Sequence, residues 1–215
     1  MIYRGIILIK KGVLPMSQRK ITSQIKKVPF HYTKSKLIAK WIVEGNDKHQ
    51  VYQKCIIENK LQIKSPGRRK EITNHLYQRL VQLDQFLLKS FIESDIITSK
   101  YILVYAVAKH DILFTEFLSE VYRDALLSDK KYISMDDFDN FFISRRENNL
   151  VVNKWSNTTI ELLGKAYRKM LVDSTLGIRK IKNIHVKQLI IHPDVTKHIK
   201  QLGDYKYLQA ISGER

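Results

Sequence analysis

Apolar residues recur every three to four positions through most of the chain, the spacing that predicts amphipathic helices. The first helix is predicted between Thr33, a plausible N-cap, and Gly45, which ends it. Residues 178–192 differ, because they are β-branched, basic and alternating, which is typical of one or two short strands. Further helices are predicted from Asp47, from Ser65 with Pro66 in its first turn, over 85–93, 98–109 and 111–127, from Ser134, from Ser156 or Asn157 to Asp173, from Pro193 to about Gly203, and as a last turn over 205–211.

These elements predict a mainly α fold, a multi-helical bundle with a small C-terminal part that carries one or two strands. Residues 1–33 show no sustained periodicity and are predicted to form a poorly ordered basic arm. Residues 34–150 are assigned to a helical domain, and residues 151–215 to a C-terminal subdomain, with a soft boundary between Leu150 and Trp155. Met16, followed by SQRKITSQIKK, is a second candidate translation start.

Charge is distributed unevenly along the chain. The sequence has 38 Lys and Arg against 21 Asp and Glu, a formal net charge of +17. Residues 1–36 hold nine basic and no acidic side chains, whereas residues 83–150 hold eight basic and twelve acidic ones. Positive charge at both ends of the chain favours a polyanionic partner over a merely solubilising role.

Residues 34–83 have the order of a helix-turn-helix: two short helices and then a third with a capped, proline-marked start. Basic and amide side chains near a helix N-terminus can reach phosphates and base edges. An ordinary bundle helix with a solvated charged face is the alternative. The candidate nucleic-acid-binding residues of this triplet are Lys60, Gln62, Lys64, Ser65, Arg68, Arg69, Lys70, Asn74 and Arg79.

The C-terminal segment has the order of a winged helix, a long helix over 155–173 followed by the predicted strands. A small capping subdomain is the alternative. Its candidate nucleic-acid-binding residues are Lys165, Arg168 and Lys169 on the helix and Arg179, Lys180 and Lys182 on the wing.

Sequence motifs for catalysis are missing. The seven histidines show no HExxH spacing, one cysteine (Cys55) cannot build a cysteine-based zinc site, and P-loop, GxGxxG and GxSxG motifs are absent. The longest apolar run, 101–108, is too short to span a membrane. We therefore expect a non-enzymatic, cytoplasmic protein without a metal, a cofactor or a small-molecule substrate.

Four segments together resemble the BrxA family of bacteriophage-exclusion (BREX) defence systems: TKSKLIAKWIVEG, IIENKLQIKSPGRRKEITNHLYQRL, YILVYAVAKHDILFTEFLSEVYRDALL and KWSNTTIELLGKAYRKMLVDSTLG. The resemblance covers about residues 33–213. It implies a helical fold, binding to double-stranded DNA and other BREX proteins as partners. The sequence departs from the family pattern at Gly67 and Arg68 and in its basic leader.

Two functions follow from these observations. The first is a DNA-binding component that grips duplex phosphates. The second is an adaptor that docks other defence proteins, or RNA, through its charged surface. The acidic, aromatic middle of the chain, with Tyr122, Asp124, Asp129, Asp136 and Phe138, favours a protein interface.

Overall fold

The computed structural model describes residues 21–213, and most of these residues are helical. The α-helices are α1 Tyr32–Val43, α2 Lys48–Tyr52, α3 Pro66–Leu80, α4 Gln85–Glu93, α5 Ile96–His110, α6 Ile112–Phe117, α7 Arg123–Leu127, α8 Met135–Asn148, α9 Leu150–Asn153, α10 Asn157–Asp173, α11 Pro193–Gln201 and α12 Tyr205–Ser212. A π-helical segment, Gln53–Ile57, extends α2, and another, Leu118–Tyr122, joins α6 to α7. The strands are β1 Tyr132–Ile133, β2 Gly177–Lys180 and β3 Asn183–Val186. The predicted mainly α fold is confirmed.

Local capping chemistry sets most helix starts where the sequence predicts them. Ser65 accepts a hydrogen bond from the backbone of the first turn of α3, and Pro66 occupies the first helical position. Asp47 and Ser134 form capping boxes at α2 and α8, and Ser156 caps α10. The start of α1 differs from the prediction, because the helix begins at Tyr32, before Thr33.

Helix α5 lies at the centre of the hydrophobic core. Every residue from Tyr101 to Ala108 is buried, so this apolar run is a helix surrounded by protein on all sides. Helices α1, α3, α4, α6 and α12 pack around it.

The prediction of a disordered N-terminal arm is wrong for residues 21–33. Ile25, Val28 and Phe30 are buried in the common core, and the Lys26 ammonium donates to the Thr159 hydroxyl at 2.9 Å. The segment therefore lies between the N-terminal helices and α10. The first 20 residues of the predicted arm lie outside the described part of the chain.

Long-range contacts also cross the predicted boundary near residue 150. Strand β1 pairs antiparallel with β3, and the Tyr101 and Ser212 hydroxyls are 3.1 Å apart. The buried apolar residues form one continuous cluster. The residues on either side of the boundary thus share one core.

The small sheet gives the C-terminal half a winged-helix topology. Its strand order is β1–β3–β2, so the first strand, which the sequence analysis missed, pairs with the last. The chain order is α7, β1, α8, α9, α10, β2 and β3. In this arrangement α10 directly precedes the β2–β3 hairpin, which has the position of the wing.

Candidate nucleic-acid interface

A cleft of about 810 Å³ lies between α10 and the β2–β3 hairpin. Helix α10 contributes basic residues at positions i, i+3 and i+4, which share one helix face. The hairpin closes the other side. The lining includes Lys165, Arg168, Lys169, Arg179 and Lys182, with Asp173 as the one acidic residue among the described lining residues. Five of the six candidate residues from this segment are thus brought together; Lys180 is exposed on the hairpin beside them. We call this site the basic cleft.

An aromatic cluster fixes α10 in position. The Tyr167 ring lies edge-on to Phe114 at 5.1 Å and close to Phe142 at 5.5 Å. At the start of α10, the Arg146 guanidinium donates to the Asn157 side chain at 2.8 Å and to the Trp155 carbonyl at 3.0 Å. These contacts hold α8 against the start of α10, so the basic face of α10 has a defined orientation.

The hairpin is anchored at its base. The buried Tyr122 hydroxyl donates to the carbonyl oxygens of Leu176 at 3.3 Å and Lys187 at 2.9 Å, just outside the two strands. Gly177 opposes Val186 in the ladder and approaches its neighbours closely. A Cβ atom at Gly177 would lie 2.5 Å from Cγ2 of Ile184. The close approach of β2 to β3 at this point therefore requires glycine.

Most cations of the basic cleft have no acidic partner. Lys169 forms an ion pair with Asp173 at 2.9 Å, while the other four lining cations form none within residues 21–213. The Arg168 guanidinium lies over the Phe138 ring at 5.5 Å and contacts the Met135 sulfur at 2.8 Å. Burial and the neighbouring Arg179 charge lower the pKa of Arg168. This positive field would be relieved by an anion in the cleft.

All three arginines of the N-terminal triplet form hydrogen bonds with other groups of this chain. Arg69 donates to the backbone carbonyls of Ile63 at 2.7 Å and Lys64 at 3.3 Å, which holds the link before α3 in place. Arg68 bonds to the Glu71 carboxylate and to the Lys27 carbonyl, the latter at 3.0 Å.

Arg79 has to be removed from the predicted interface. It is only 3% exposed, and its guanidinium donates to the Val28 carbonyl and, at 2.6 Å, to the Pro29 carbonyl. Burial lowers its pKa to about 10. Its role is to bind the N-terminal segment to α3, and a DNA phosphate cannot reach it.

The remaining residues of the triplet are on the surface. Lys64, Ser65 and Lys70 are exposed, as is Asn74, whose side-chain oxygen accepts a hydrogen bond from the Tyr52 hydroxyl at 2.9 Å. The link between α2 and α3 is eight residues long, from Glu58 to Ser65, which is longer than the three to four residues typical of a helix-turn-helix.

A second basic surface, which the sequence analysis found only in part, lies between α1 and this link. A groove of about 480 Å³ has an apolar floor that includes Leu37, Leu61 and Ile92. Its rim carries the predicted residues Lys60 and Gln62 and, unpredicted, Lys34, Lys36 and Lys40. The i, i+4 spacing of Lys36 and Lys40 in TKSKLIAK was the available signal, because it places these two cations on one face of a short helix.

His31 is a half-buried residue at the start of α1. Its pKa is lowered to about 4, first by burial and then by the charges of Arg79, Lys34, Arg68 and Lys169. The segment just before His31 contacts both helices, because the Arg68 guanidinium of α3 donates to the Lys27 carbonyl and the Lys26 ammonium donates to the Thr159 hydroxyl of α10. The starts of α3 and α10 therefore lie near one another.

Of the residues proposed for a protein interface, the aromatic ones are buried and the acidic ones are exposed. Tyr122 and Phe138 are buried, so they belong to the core and cannot form a surface. Asp124, Asp129 and Asp136 are exposed.

Within residues 21–213, no cluster of three or more His, Cys, Asp or Glu side chains could hold a metal ion. In the same range, no helix combines the length and the apolar character needed to cross a membrane.

Comparison with known proteins identifies the family. The BrxA family model matches residues 19–203. A Bacillus cereus (strain H3081.97) protein described as "BREX protein BrxA" is 29% identical over 192 residues, which cover 89% of this chain and 96% of that protein. A crystal structure of an uncharacterized protein from Magnetospirillum magneticum has the same fold, with a TM-score of 0.78, 20% identity and coverage of 90% of this chain and 99% of that one. The chain therefore belongs to the BrxA family.

Proposed function

We propose that this chain is a non-enzymatic component of a BREX phage-defence system that binds double-stranded DNA, with the basic cleft as its main contact surface. The observation that carries the proposal is the convergence of Lys165, Arg168, Lys169, Arg179 and Lys182 on one cleft, whose lining within residues 21–213 has a single carboxylate. Three of these cations, Lys165, Arg179 and Lys182, are available to an external anion, because no carboxylate in the described chain pairs with them. Arg168 already contacts Phe138 and Met135.

The chemistry of these side chains favours the DNA backbone as the ligand. Arginine forks bind phosphate oxygens with two hydrogen bonds, and lysines add point charges beside them. Such contacts position a protein on a duplex without reading its sequence. We therefore expect weak sequence preference and strong salt dependence.

The exposed residues of the N-terminal triplet form a second, weaker contact in this proposal. They are Lys60, Gln62, Lys64, Ser65, Lys70 and Asn74. Because the Lys26–Lys27 segment contacts both α3, through Arg68, and α10, through Thr159, one duplex held in the basic cleft would pass near these exposed residues. Arg68 and Arg69 contribute less to this contact in the proposal, since their guanidinium groups already bind groups of the protein.

The test is fluorescence anisotropy of a labelled random duplex of about 24 base pairs across a salt series, with single-stranded RNA of equal length as competitor. The cleft variant R179E/K182E is compared with K89E/K197E, in which two exposed lysines on α4 and α11 are reversed. Both variants change the charge by −4, from +17 to +13, so bulk charge is matched.

We expect R179E/K182E to weaken duplex binding by about 10- to 100-fold and K89E/K197E by about 2-fold, because only the first removes phosphate contacts. Equal losses in the two variants would mean that only net charge matters, and the cleft assignment would be abandoned. If the RNA displaced the duplex at equimolar concentration, the ligand would be RNA.

An adaptor role is a second candidate, and one surface feature favours it. Leu150 is 82% exposed on α9, with Val151 beside it and Ile143 exposed on the preceding helix. Exposed apolar residues that neighbour one another are typical of protein interfaces. The variant L150S/V151S should leave duplex binding unchanged. It should abolish co-elution with a purified protein of the same BREX system in size-exclusion chromatography; co-elution that survives the substitutions would exclude this surface.

A further inference from the structure

An isoleucine occupies the tip of the wing. The two-residue turn Ile181–Lys182 connects β2 to β3, whose last ladder pair is Lys180 with Asn183. Ile181 is 92% exposed, one of the most exposed large apolar residues in the described chain. Its backbone has a φ of +54°, in the left-handed region.

Folding does not favour isoleucine at this position. Two-residue hairpins with a positive φ use Gly, Asn or Asp, because a branched Cβ is crowded in the left-handed region. An exposed isoleucine also gains no burial energy from the fold. Neither turn chemistry nor core packing therefore explains the residue, whereas a contact with another molecule would.

The surroundings of the tip are cationic. Lys180 and Lys182 flank Ile181 and are exposed, and the Arg179 side chain supports the turn by donating to the Ile181 carbonyl at 3.4 Å. Arg179 and Lys182 also line the basic cleft, so the apolar tip projects beside the proposed phosphate contacts. A protein interface usually needs about 800 Å² on each partner, far more than one isoleucine supplies.

We infer that Ile181 is a wedge that enters the DNA minor groove and partly unstacks a base step, which kinks the duplex. This inference rests on the proposed DNA binding. Apolar side chains such as Ile, Leu and Met act in this way in architectural proteins, where flanking cations hold the phosphates on both sides of the groove. The extra contacts made by the bent duplex offset the cost of unstacking.

The chain offers a closely matched control. Ile190 is also 92% exposed but lies outside the hairpin, after β3. The variants are I181N, I190N and I181M. Asparagine tolerates the left-handed region, so I181N should keep the turn while it removes the wedge. Methionine keeps an apolar wedge of similar reach.

The experiment measures energy transfer between donor and acceptor dyes on the two ends of a 24-base-pair duplex, in parallel with anisotropy. We expect the unaltered protein and I190N to raise the transfer efficiency, as a bend of about 20–90° brings the ends closer. I181M should retain this rise, and I181N should lose most of it while its affinity falls by less than about 10-fold.

The outcomes separate the two proposals. A protein that does not bind the duplex at low salt overturns the proposed function, and the wedge with it. Binding without increased energy transfer, or equal transfer with I181N and the unaltered protein, overturns the wedge alone. If I181N, but not I190N, lowered binding to another BREX protein instead, and transfer stayed constant, the tip would be a protein contact.

Discussion

The N-terminal triplet and the basic cleft are both rich in cations, but they use them differently. In the triplet, Arg69 and Arg79 are hydrogen-bonded to backbone carbonyls of this chain. In the cleft, Arg179 and Lys182 face a solvent-filled space with no carboxylate partner in the described chain. In the proposed interface, what matters is whether a cation is free to bind an external anion, more than how many cations the surface has. Substitutions in the N-terminal triplet and in the basic cleft test this difference.

The largest effect is expected from the Arg79→Met substitution in the triplet. It should lower the free energy of unfolding by about 3 kcal/mol, because the Val28 and Pro29 carbonyls lose a charged donor in a buried place. Duplex affinity of the folded variant should not change. Urea unfolding with anisotropy on the same sample measures both quantities.

The control for this prediction is Lys70→Met, at an exposed position on the same helix. Its free energy of unfolding should change by no more than about 0.5 kcal/mol. A large loss of DNA affinity in folded Arg79→Met protein would contradict a purely internal role for this arginine.

A somewhat smaller loss of stability is expected from the Gly177→Ala substitution, at the start of β2 beside the basic cleft. The added Cβ collides with the buried Ile184 side chain, so either the hairpin shifts or the core does. We expect a loss of about 2 kcal/mol in stability and weaker duplex binding. Thermal unfolding and anisotropy provide the measurements.

Gly164→Ala in α10 is the matched control, since its Cβ would make only an ordinary contact at 3.9 Å with Phe142. This substitution should raise stability by about 0.5 kcal/mol through the higher helix propensity of alanine. If both variants behaved alike, the close approach at Gly177 would not position the wing.

The smallest effect is a pH dependence of stability that His31 confers at the start of α1. Its pKa is about 4 in the folded chain against an ordinary value of 6.5, so the unfolded state takes up the proton first as the pH falls. The stabilising contribution is full above about pH 6.5 and is lost as the pH falls towards 4. Between pH 7 and 5.5 we expect a loss of about 1 kcal/mol.

The variant His31→Asn should remove most of this loss, and asparagine tolerates the φ of +48° at this position. Urea unfolding at pH 7 and 5.5 compares the two proteins. An unchanged pH dependence in the variant would show that another group, such as His75, whose pKa is also lowered by burial, is responsible.

Local sequence signals predicted the helices well. Ser65, Ser134 and Ser156 begin helices in the structure as their capping patterns indicate. Strand β1 escaped prediction because it has only two residues, and its pairing with β3 joins positions about 50 residues apart. Long-range pairing of this kind leaves no periodic pattern in the sequence.

The candidate site was predictable in composition but only partly in geometry. The cations of α10 share a face because of helical spacing, which a sequence reveals. The sequence did not reveal that Arg79 is buried, because its partners Val28 and Pro29 lie some 50 residues earlier, in a segment without periodicity. The tip residue Ile181 was also missed, because its exposure and positive φ are properties of the folded hairpin.

The most direct test of the central claim is the salt dependence of duplex binding in two charge-matched variants. R179E/K182E alters the basic cleft, and K64E/K70E alters the exposed triplet. The slope of log affinity against log salt is about −0.9 for each phosphate neutralised. We predict that its magnitude falls by about 1.8 in the cleft variant and by less than about 0.9 in the triplet variant. The reverse order would contradict the account and make the N-terminal triplet the main DNA-binding surface.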